Sequence, residues 1–366
     1  ILERMKLPYE LIKKDFYDFP CEGLKEFTEK RIIELAQKDD DCYFFIVDAE
    51  FPRMLIEKYP NIQYLPFFPT KMTVNENMLS TMQKTQADKY EIKDMNSEKL
   101  IASVNKTENY LVHMRFLAEA LKNGYQLQGI HGYYQFKQDY IFKKYIEANN
   151  IKKKNATISG NKFQRGLAKD MSNIIYGKTI QNVLNHKEFE TVIFDGWHES
   201  SRINRIRDVK NFHRITEKLM IVEKGKSNIN LNMPIFIGKA VLDLSKMHMY
   251  DFFHNVFMRY YKNGRLLYMD TDSLVLEIPD NEKGFNKFVE KNRQWIDLQG
   301  MSPKYPLYDE LQKKKEEMMR QGIPENMLQI KFDEAIEAGE PGRFKSETDW
   351  VSIEEFVALR PKQYSF

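Results

Sequence analysis

The stretch that most constrains what this chain can fold into is Arg265 to Ile278, RLLYMDTDSLVLEI. Two apolar, β-favouring runs flank the tetrad Asp270, Thr271, Asp272 and Ser273, which predicts a tight hairpin with two carboxylates at its tip. Side chains alternate faces along a strand, so Asp270 and Asp272 share a face if strand geometry persists through the tip. Like charges that close repel unless a cation stands between them, and hard oxygen ligands suit Mg²⁺. Taken alone, the tetrad also reads as a solvated turn. It does not read as an EF-hand, because the third oxygen ligand and the turn glycine are missing after Asp272.

With 366 residues the chain can form two or three subdomains and a sizeable core. A content of 42% hydrophobic and 30% charged residues is a globular balance and excludes a disordered chain. The net charge is only +3, so any nucleic-acid site must be a local basic groove; the 20 Tyr and 25 Phe suit stacking on bases as well as a core. Cys21 and Cys42 are too few for a disulfide framework or a zinc ribbon, which fits a reducing, intracellular compartment. No apolar run approaches the roughly 18 residues of a membrane span. The opening ILERMKLPYE reads as neither a signal peptide nor a natural start, and predicts a piece of a longer polypeptide.

Residues 24–38 predict a helix with Leu24, Phe27, Ile32 and Leu35 buried. Cys42 to Val47 is a buried-strand run that delivers Asp48 at its end, and Pro52 bars a regular strand from continuing. Residues 64–109 lack periodicity and read as an irregular insertion. Met114 to Lys122 predicts a helix ended by Gly124, then a strand in YQLQGIHGYYQF, then a helix over 139–149 with Ile141, Tyr145 and Ala148 on one side. Further strands are expected at TVIFDGW and KLMIVEK. After Pro234 to Gly238 a long helix places Leu242, Met249, Phe253, Val256, Phe257 and Tyr260 on one face, and Asn263-Gly264 ends it directly before the hairpin. The run KKKEE (313–317) reads as a solvated helix face, and MLQIKF and EEFVAL as paired strands.

A second informative stretch is NKFQRGLAKDMSNIIYGKTIQN. On a helix Lys162, Arg165, Lys169, Asn173 and Tyr176 recur every three or four residues and share one face. Three cations, an amide and a phenol do not make a core face. They make either a solvated basic helix or a surface that grips a triphosphate and lays Tyr176 beside a base. Gly177 costs about 1 kcal/mol in a helix relative to Ala, and such a residue often lets something approach the backbone closely.

Together these motifs resemble the family B DNA polymerases. The strand ending in Asp48, with Phe51 and Pro52 after it, resembles motif A, although it is two residues shorter than Asp-x-x-Ser-Leu-Tyr-Pro and has Phe for Tyr. Lys169-x-x-x-Asn173-Ile174-Ile175-Tyr176-Gly177 resembles motif B with Ile174 in place of the usual Ser. Tyr268-x-Asp270-Thr271-Asp272-Ser273 resembles motif C, and Lys362-x-Tyr364 resembles the Lys-x-Tyr motif that holds the primer strand. The phrases VDAEFP, IIYGKTIQNV, LDLSKMHMYDFF, MDTDSLVLEI and EFVALRPKQYS are similar to the protein-primed branch of Maverick/Polinton-type transposons and related viruses.

The resemblance implies an α+β right-hand architecture: a palm sheet with a catalytic hairpin, helical fingers and a small thumb-like C-terminal part. It places the first palm segment at 1–63, an insertion at 64–124, fingers at 125–185, a second insertion at 186–233, the palm hairpin at 234–281 and the palm/thumb region at 282–366. It implies two Mg²⁺ ions, with Mn²⁺ as a substitute, held by Asp48, Asp270 and Asp272. It assigns the nucleotide to Lys169, Arg165, Lys162, Asn173, Tyr176 and the sugar gate Phe51, and DNA to Lys362, Tyr364 and Gly177. The implied partners are a DNA template-primer, dNTPs and a priming terminal protein, with no membrane and no oligomer. A catalytically inactive nucleic-acid-binding remnant and a metal-dependent nuclease are the alternatives. Asp48-x-Glu50 also matches the opening of a proofreading exonuclease, but nothing between residues 50 and 90 supplies that domain's middle motif.

Overall fold

The computed structural model describes residues 1–92, 97–185, 187–193, 206, 208–225, 228–360 and 362–366. The chain divides into two units, one formed by Glu3–Asp139 with Leu242–Phe366, the other by Tyr140–Val241. Six strands precede residue 140: β1 (Leu7–Phe16), β2 (Asp41–Glu50), β3 (Thr70–Val74), β4 (Ser97–Ile101), β5 (Thr107–His113) and β6 (Gln126–Asp139). Four of them form an antiparallel sheet in the order β1-β6-β2-β5. The run CYFFIV makes β2 an inner strand, and Phe45, Val47 and Ala49 are fully buried. In register, Asp48 faces Gly129 of β6. The strand continues two residues beyond Asp48, to Glu50, before Pro52 stops it.

The helix expected over 24–38 is two helices, α1 (Pro20–Glu26) and α2 (Glu29–Lys38). Thr28 breaks it by taking an extended conformation and accepting the Arg31 N–H on its hydroxyl, as an N-cap does. Phe27 and Ile32 are buried as expected, while Leu24 and Leu35 are half-buried. The stretch 64–109 is more regular than its periodicity suggests. β3 and β4 pair as a two-stranded sheet of their own with α3 (Thr81–Lys89) between them in the chain, and β5 is the edge strand of the four-stranded sheet beside β2. Ser80 and Gln83 form a reciprocal capping box at the start of α3, a signal readable as Ser-x-x-Gln. Helix α4 (Met114–Lys122) stands where its pattern puts it, with Phe116, Leu117 and Ala120 fully buried.

The second unit contains the helical hairpin α5 (Lys143–Ile158) and α6 (Lys162–Thr179) and a three-stranded antiparallel sheet. That sheet comprises β7 (Lys187–Ile193), β8 (Val209–Thr216) and β9 (Leu219–Gly225) in the order β7-β9-β8. Helix α5 begins later than expected because β6 runs on to Asp139, and it buries Ile146, Asn149 and Ala156 while Ile141 and Tyr145 are exposed. Of the strand expected at TVIFDGW, Thr191 to Ile193 belong to β7 and residues 194–197 lie outside the described residues. KLMIVEK is β9 as expected.

The helix Ile235–Asp251 continues through a π-helical turn, Phe252–Phe257, to Tyr260. Met249, Phe253 and Phe257 are buried on the expected face, whereas Leu242 is exposed. This helix pins the segment that follows β2. Tyr250 Oη donates to the Pro66 carbonyl at 2.9 Å, and His254 Nε2 donates to the Leu65 carbonyl at 3.0 Å while its Nδ1 accepts from Asn61 Nδ2 at 3.0 Å. The His254 ring also stacks on Phe67 with centroids 5.2 Å apart. Burial pushes the His254 pKa down to about 4.

The expected hairpin follows as β10 (Arg265–Asp270) and β11 (Ser273–Glu277). Leu266, Met269, Leu274 and Leu276 pack it against the main core. MLQIKF is not a strand. It lies in the helix Glu325–Ala335, whose Leu328 and Phe332, four residues apart, are both buried. Residues 328, 330 and 332 also alternate, so a run this short fits either period. The partner of β12 (Val357–Arg360) is instead β13 (Gln363–Ser365). Among the described residues no helix is long and apolar enough to cross a membrane.

Candidate active site

Asp48 is held by three adjacent strands. Its Oδ1 accepts the Asn109 backbone N–H from β5 at 2.9 Å and the His131 ring N–H from β6 at 2.8 Å. Asn109 takes a left-handed conformation with φ 52°. A Cβ at Gly129 would stand 2.7 Å from Pro20 Cβ and 3.3 Å from Asp48 Oδ2, so it is the close approach of Pro20 that requires glycine beside this carboxylate. No motif pointed to His131; it is one polar ring inside a strand-like run, and only the pairing of β2 with β6 brings it to Asp48.

At the hairpin tip Asp270 pairs with Ser273 around the two-residue turn Thr271-Asp272. Thr271 is left-handed at φ 55°, and the Asp272 N–H donates to the Asp270 carbonyl at 2.6 Å. Strand geometry therefore ends at Asp270, so strand alternation does not put the Asp272 carboxylate on the Asp270 face. Asp270 is half-buried and Asp272 exposed. The Lys-x-Tyr motif docks directly on this hairpin. Lys362 Nζ lies 2.8 and 3.1 Å from the two Asp270 oxygens, and its backbone N–H donates to Tyr268 Oη at 2.6 Å. The Tyr364 ring lies 4.9 Å from that of Tyr268, with Phe356 against both. The Lys362 hydrogen bond holds the Asp270 carboxyl below the usual range, and the same bond raises the Lys362 ammonium.

The expected convergence of Asp48, Asp270 and Asp272 is not met as a finished cluster. Among the described residues no group of three or more His, Cys, Asp or Glu is placed to hold a metal ion. Asp48 and Asp270 each hold a partner of their own, as described above. Carboxylate oxygens are the donors a hard divalent cation prefers, but as placed Asp48, Asp270 and Asp272 do not make up one site for it. Phe51 is placed differently from its expected role. It is only 1% exposed, packed edge-to-face on Tyr125 at 5.2 Å and covered by Gly124, which makes it a core aromatic and not a wall of an open pocket.

In the second unit α6 carries the basic face as the spacing predicts. Lys162, Arg165, Lys169 and Asn173 are exposed and Tyr176 is half-buried, while Ala168 and Thr179 turn inward. Asn161 caps the helix by accepting the Gln164 N–H at 3.0 Å. A Cβ at Gly177 would meet nothing within 4 Å, so packing within the chain does not require glycine there. Cys42 and His113 form a Cys–His pair at 3.3 Å, but both are fully buried. His113 Nδ1 accepts the Arg115 N–H, its Nε2 donates to the sulfur, and burial pushes the thiol far up; the pair is structural.

Residues 15–256 match the family described as DNA polymerase type B, organellar and viral. This is well over half of the chain, and the chain belongs to that family. The match ends before β10, so the hairpin and the Lys-x-Tyr docking stand on their own residues. Among solved structures the chain is similar to Phi29 DNA polymerase in its orthorhombic crystal form, with a TM-score of 0.39 and 14% sequence identity over 76% of this chain. The chain spans 37% of the length of that polymerase. No curated protein matches the chain.

Proposed function

We propose that this chain is the nucleotidyl-transfer core of a DNA polymerase of the protein-primed branch, copying the genome of a mobile element or virus inside the cell. In the transfer, the primer 3′-oxygen attacks the α-phosphorus of a dNTP, a new P–O bond forms, and the bond to the leaving pyrophosphate breaks. Asp48, Asp270 and Asp272 are the carboxylates that the resemblance assigns to divalent cations, Mg²⁺ or Mn²⁺, which would supply Lewis-acid charge at the reacting phosphate when bound. Lys169, with Arg165 and Lys162 on the same face, neutralises charge on the departing phosphates, and Tyr176, with Asn173 beside it, supports the base. Lys362 and Tyr364 contact the primer backbone, and Gly177 admits DNA close to α6.

One observation carries the reading: two elements distant in sequence, the Asp-Thr-Asp hairpin and the Lys-x-Tyr segment, are joined by the Lys362–Asp270 and Lys362–Tyr268 bonds. A nuclease has no use for a lysine-bearing segment docked beside its carboxylates together with a separate triphosphate-binding helix. A remnant would not be expected to keep every carboxylate. The test is primer extension by the purified chain on a primed template with Mg²⁺ and each nucleotide class. Extension with dNTPs supports the proposal; degradation of the primer without extension supports the nuclease, and duplex binding with neither supports the remnant.

A further inference from the structure

We infer that the end of the α5–α6 hairpin away from Tyr176 is a single-stranded nucleic-acid site, where Lys152 and Lys153 hold the backbone and Phe163 stacks on a base of the unpaired template strand. This rests on the polymerase reading above and adds to it three residues outside the four motifs.

Residues 143–179 carry nine lysines and arginines against Glu147 and Asp170, a net charge of +7 (9 − 2). The whole chain has 56 basic and 53 acidic residues, so the remainder, with 47 and 51, is net −4. This hairpin is thus the basic body of an otherwise acidic chain, which is the footprint of a polyanion. Lys143 lies 4.0 Å from Glu147, whereas Lys152 and Lys153 are exposed and hold no carboxylate among the described residues. Each stands three or four positions from the buried Asn149 and Ala156, so both border the contact of α5 with α6.

Residues 159–161 join the two helices, so α6 begins at the end of the hairpin where α5 finishes. At that end the Phe163 ring is 78% exposed. Tyr176 stands further along the same helix by (176 − 163) × 1.5 Å, about 20 Å, so a base on Phe163 belongs to a different nucleotide from one beside Tyr176. Sites for single strands combine cations along the backbone with aromatic faces for the bases, whereas a duplex hides its base faces. During extension the template ahead of the primer end is the unpaired strand. An anionic membrane also attracts basic helices, but those separate a polar from an apolar face. Here the adjacent Lys152, Lys153 and Lys154 spread over about 200° of α5, which suits a strand wrapping the helix better than a flat surface.

The test measures anisotropy of two labelled DNAs with the purified full chain across a salt series. One is a primed template with an unpaired 5′ extension of about 12 nucleotides, the other a blunt duplex of the same paired length. The variants are Phe163→Ala, the pair Lys152→Gln with Lys153→Gln, and the pair Lys152→Arg with Lys153→Arg; melting curves confirm folding. Phe163→Ala is expected to weaken binding of the extended template about fivefold or more, the loss of ~1 kcal/mol or more of stacking. The glutamine pair is expected to flatten the salt slope on that DNA by about 1.4, two phosphate contacts at ~0.7 each, and the arginine pair to restore it. Blunt-duplex binding is expected to be unchanged in all three. Equal losses on both DNAs, or the absence of either expected loss on the extended template, overturns the inference. So does binding to phosphatidylserine–phosphatidylcholine vesicles that the variants lose while DNA binding persists, which assigns the surface to a membrane. Extension by the parent with dNTPs is followed alongside. A parent that binds but does not extend overturns the polymerase reading and the template assignment with it, whereas extension with unaltered binding in the variants removes this site alone.

Discussion

Replacing Phe51 separates the role implied by resemblance from the one the packing gives it. The ring is 1% exposed, sits edge-to-face on Tyr125 at 5.2 Å, and has Gly124 close against it, where an added Cβ would be 3.2 Å from Cε2. Truncating such a residue to alanine removes its transfer free energy and leaves a cavity, which together cost about 3–5 kcal/mol. About 0.5–1.5 kcal/mol of that belongs to the aromatic pair. Against a typical total of roughly 5–15 kcal/mol, Phe51→Ala takes a large share of the stability. Phe51→Tyr is informative in the opposite sense. A sugar-gate role makes it nearly silent, whereas a core position places a new hydroxyl among apolar neighbours at about 1–3 kcal/mol. Urea unfolding of parent, Phe51→Tyr and Phe51→Leu measures these losses. The ratio of kcat/KM for a dNTP to that for its ribonucleotide, in parent and Phe51→Leu, measures selectivity. The packing predicts a destabilised Tyr variant and a selectivity ratio unchanged within about threefold. A silent Tyr variant together with a tenfold loss of discrimination, about 1.4 kcal/mol, would refute the core assignment.

Two further outcomes follow from the same geometry. Lys169→Ala raises the apparent KM for dNTPs and slows transfer, while stability changes by no more than about 0.5 kcal/mol because the side chain is exposed; steady-state kinetics with a melting curve checks both. His254, neutral and doubly hydrogen-bonded with its pKa held near 4 by burial, stabilises the fold fully above the unfolded value near 6.5, and that contribution is lost as pH falls towards 4. The difference is worth roughly 3 kcal/mol, and urea midpoints between pH 7.5 and 4.5 in parent and His254→Gln read it; equal pH slopes in the two would contradict it.

Residues whose neighbours in sequence are also their neighbours in space were legible. The hairpin β10–β11 was written in two apolar runs around Asp-Thr-Asp-Ser, α4 in its apolar periodicity ended by Gly124, and α6 in its basic periodicity. β2 was legible as an unbroken apolar run because it is an inner strand. β1 was not legible because an edge strand exposes most of its residues and carries no clear alternation. The helix Glu325–Ala335 was not legible in MLQIKF because six residues suit both periods, whereas α3 carries a readable signal in its Ser80–Gln83 capping box despite its lack of apolar periodicity. His131 and the docking of Lys362 on Tyr268 had no local signal at all. The first depends on strand register, and the second on a contact between residues 94 positions apart.

The central claim is that the hairpin carboxylates serve transfer chemistry, and Asp272 tests it most directly. Its side chain is exposed at the tip of the turn, so removing it disturbs no packing. The measurement is the single-turnover rate of dNTP addition by parent and Asp272→Ala on the same primed template in Mg²⁺, with duplex affinity determined alongside. The account predicts a loss of about a thousandfold in rate, roughly 4 kcal/mol of transition-state stabilisation, with duplex affinity unchanged. A variant that adds nucleotides at near the parental rate would contradict it.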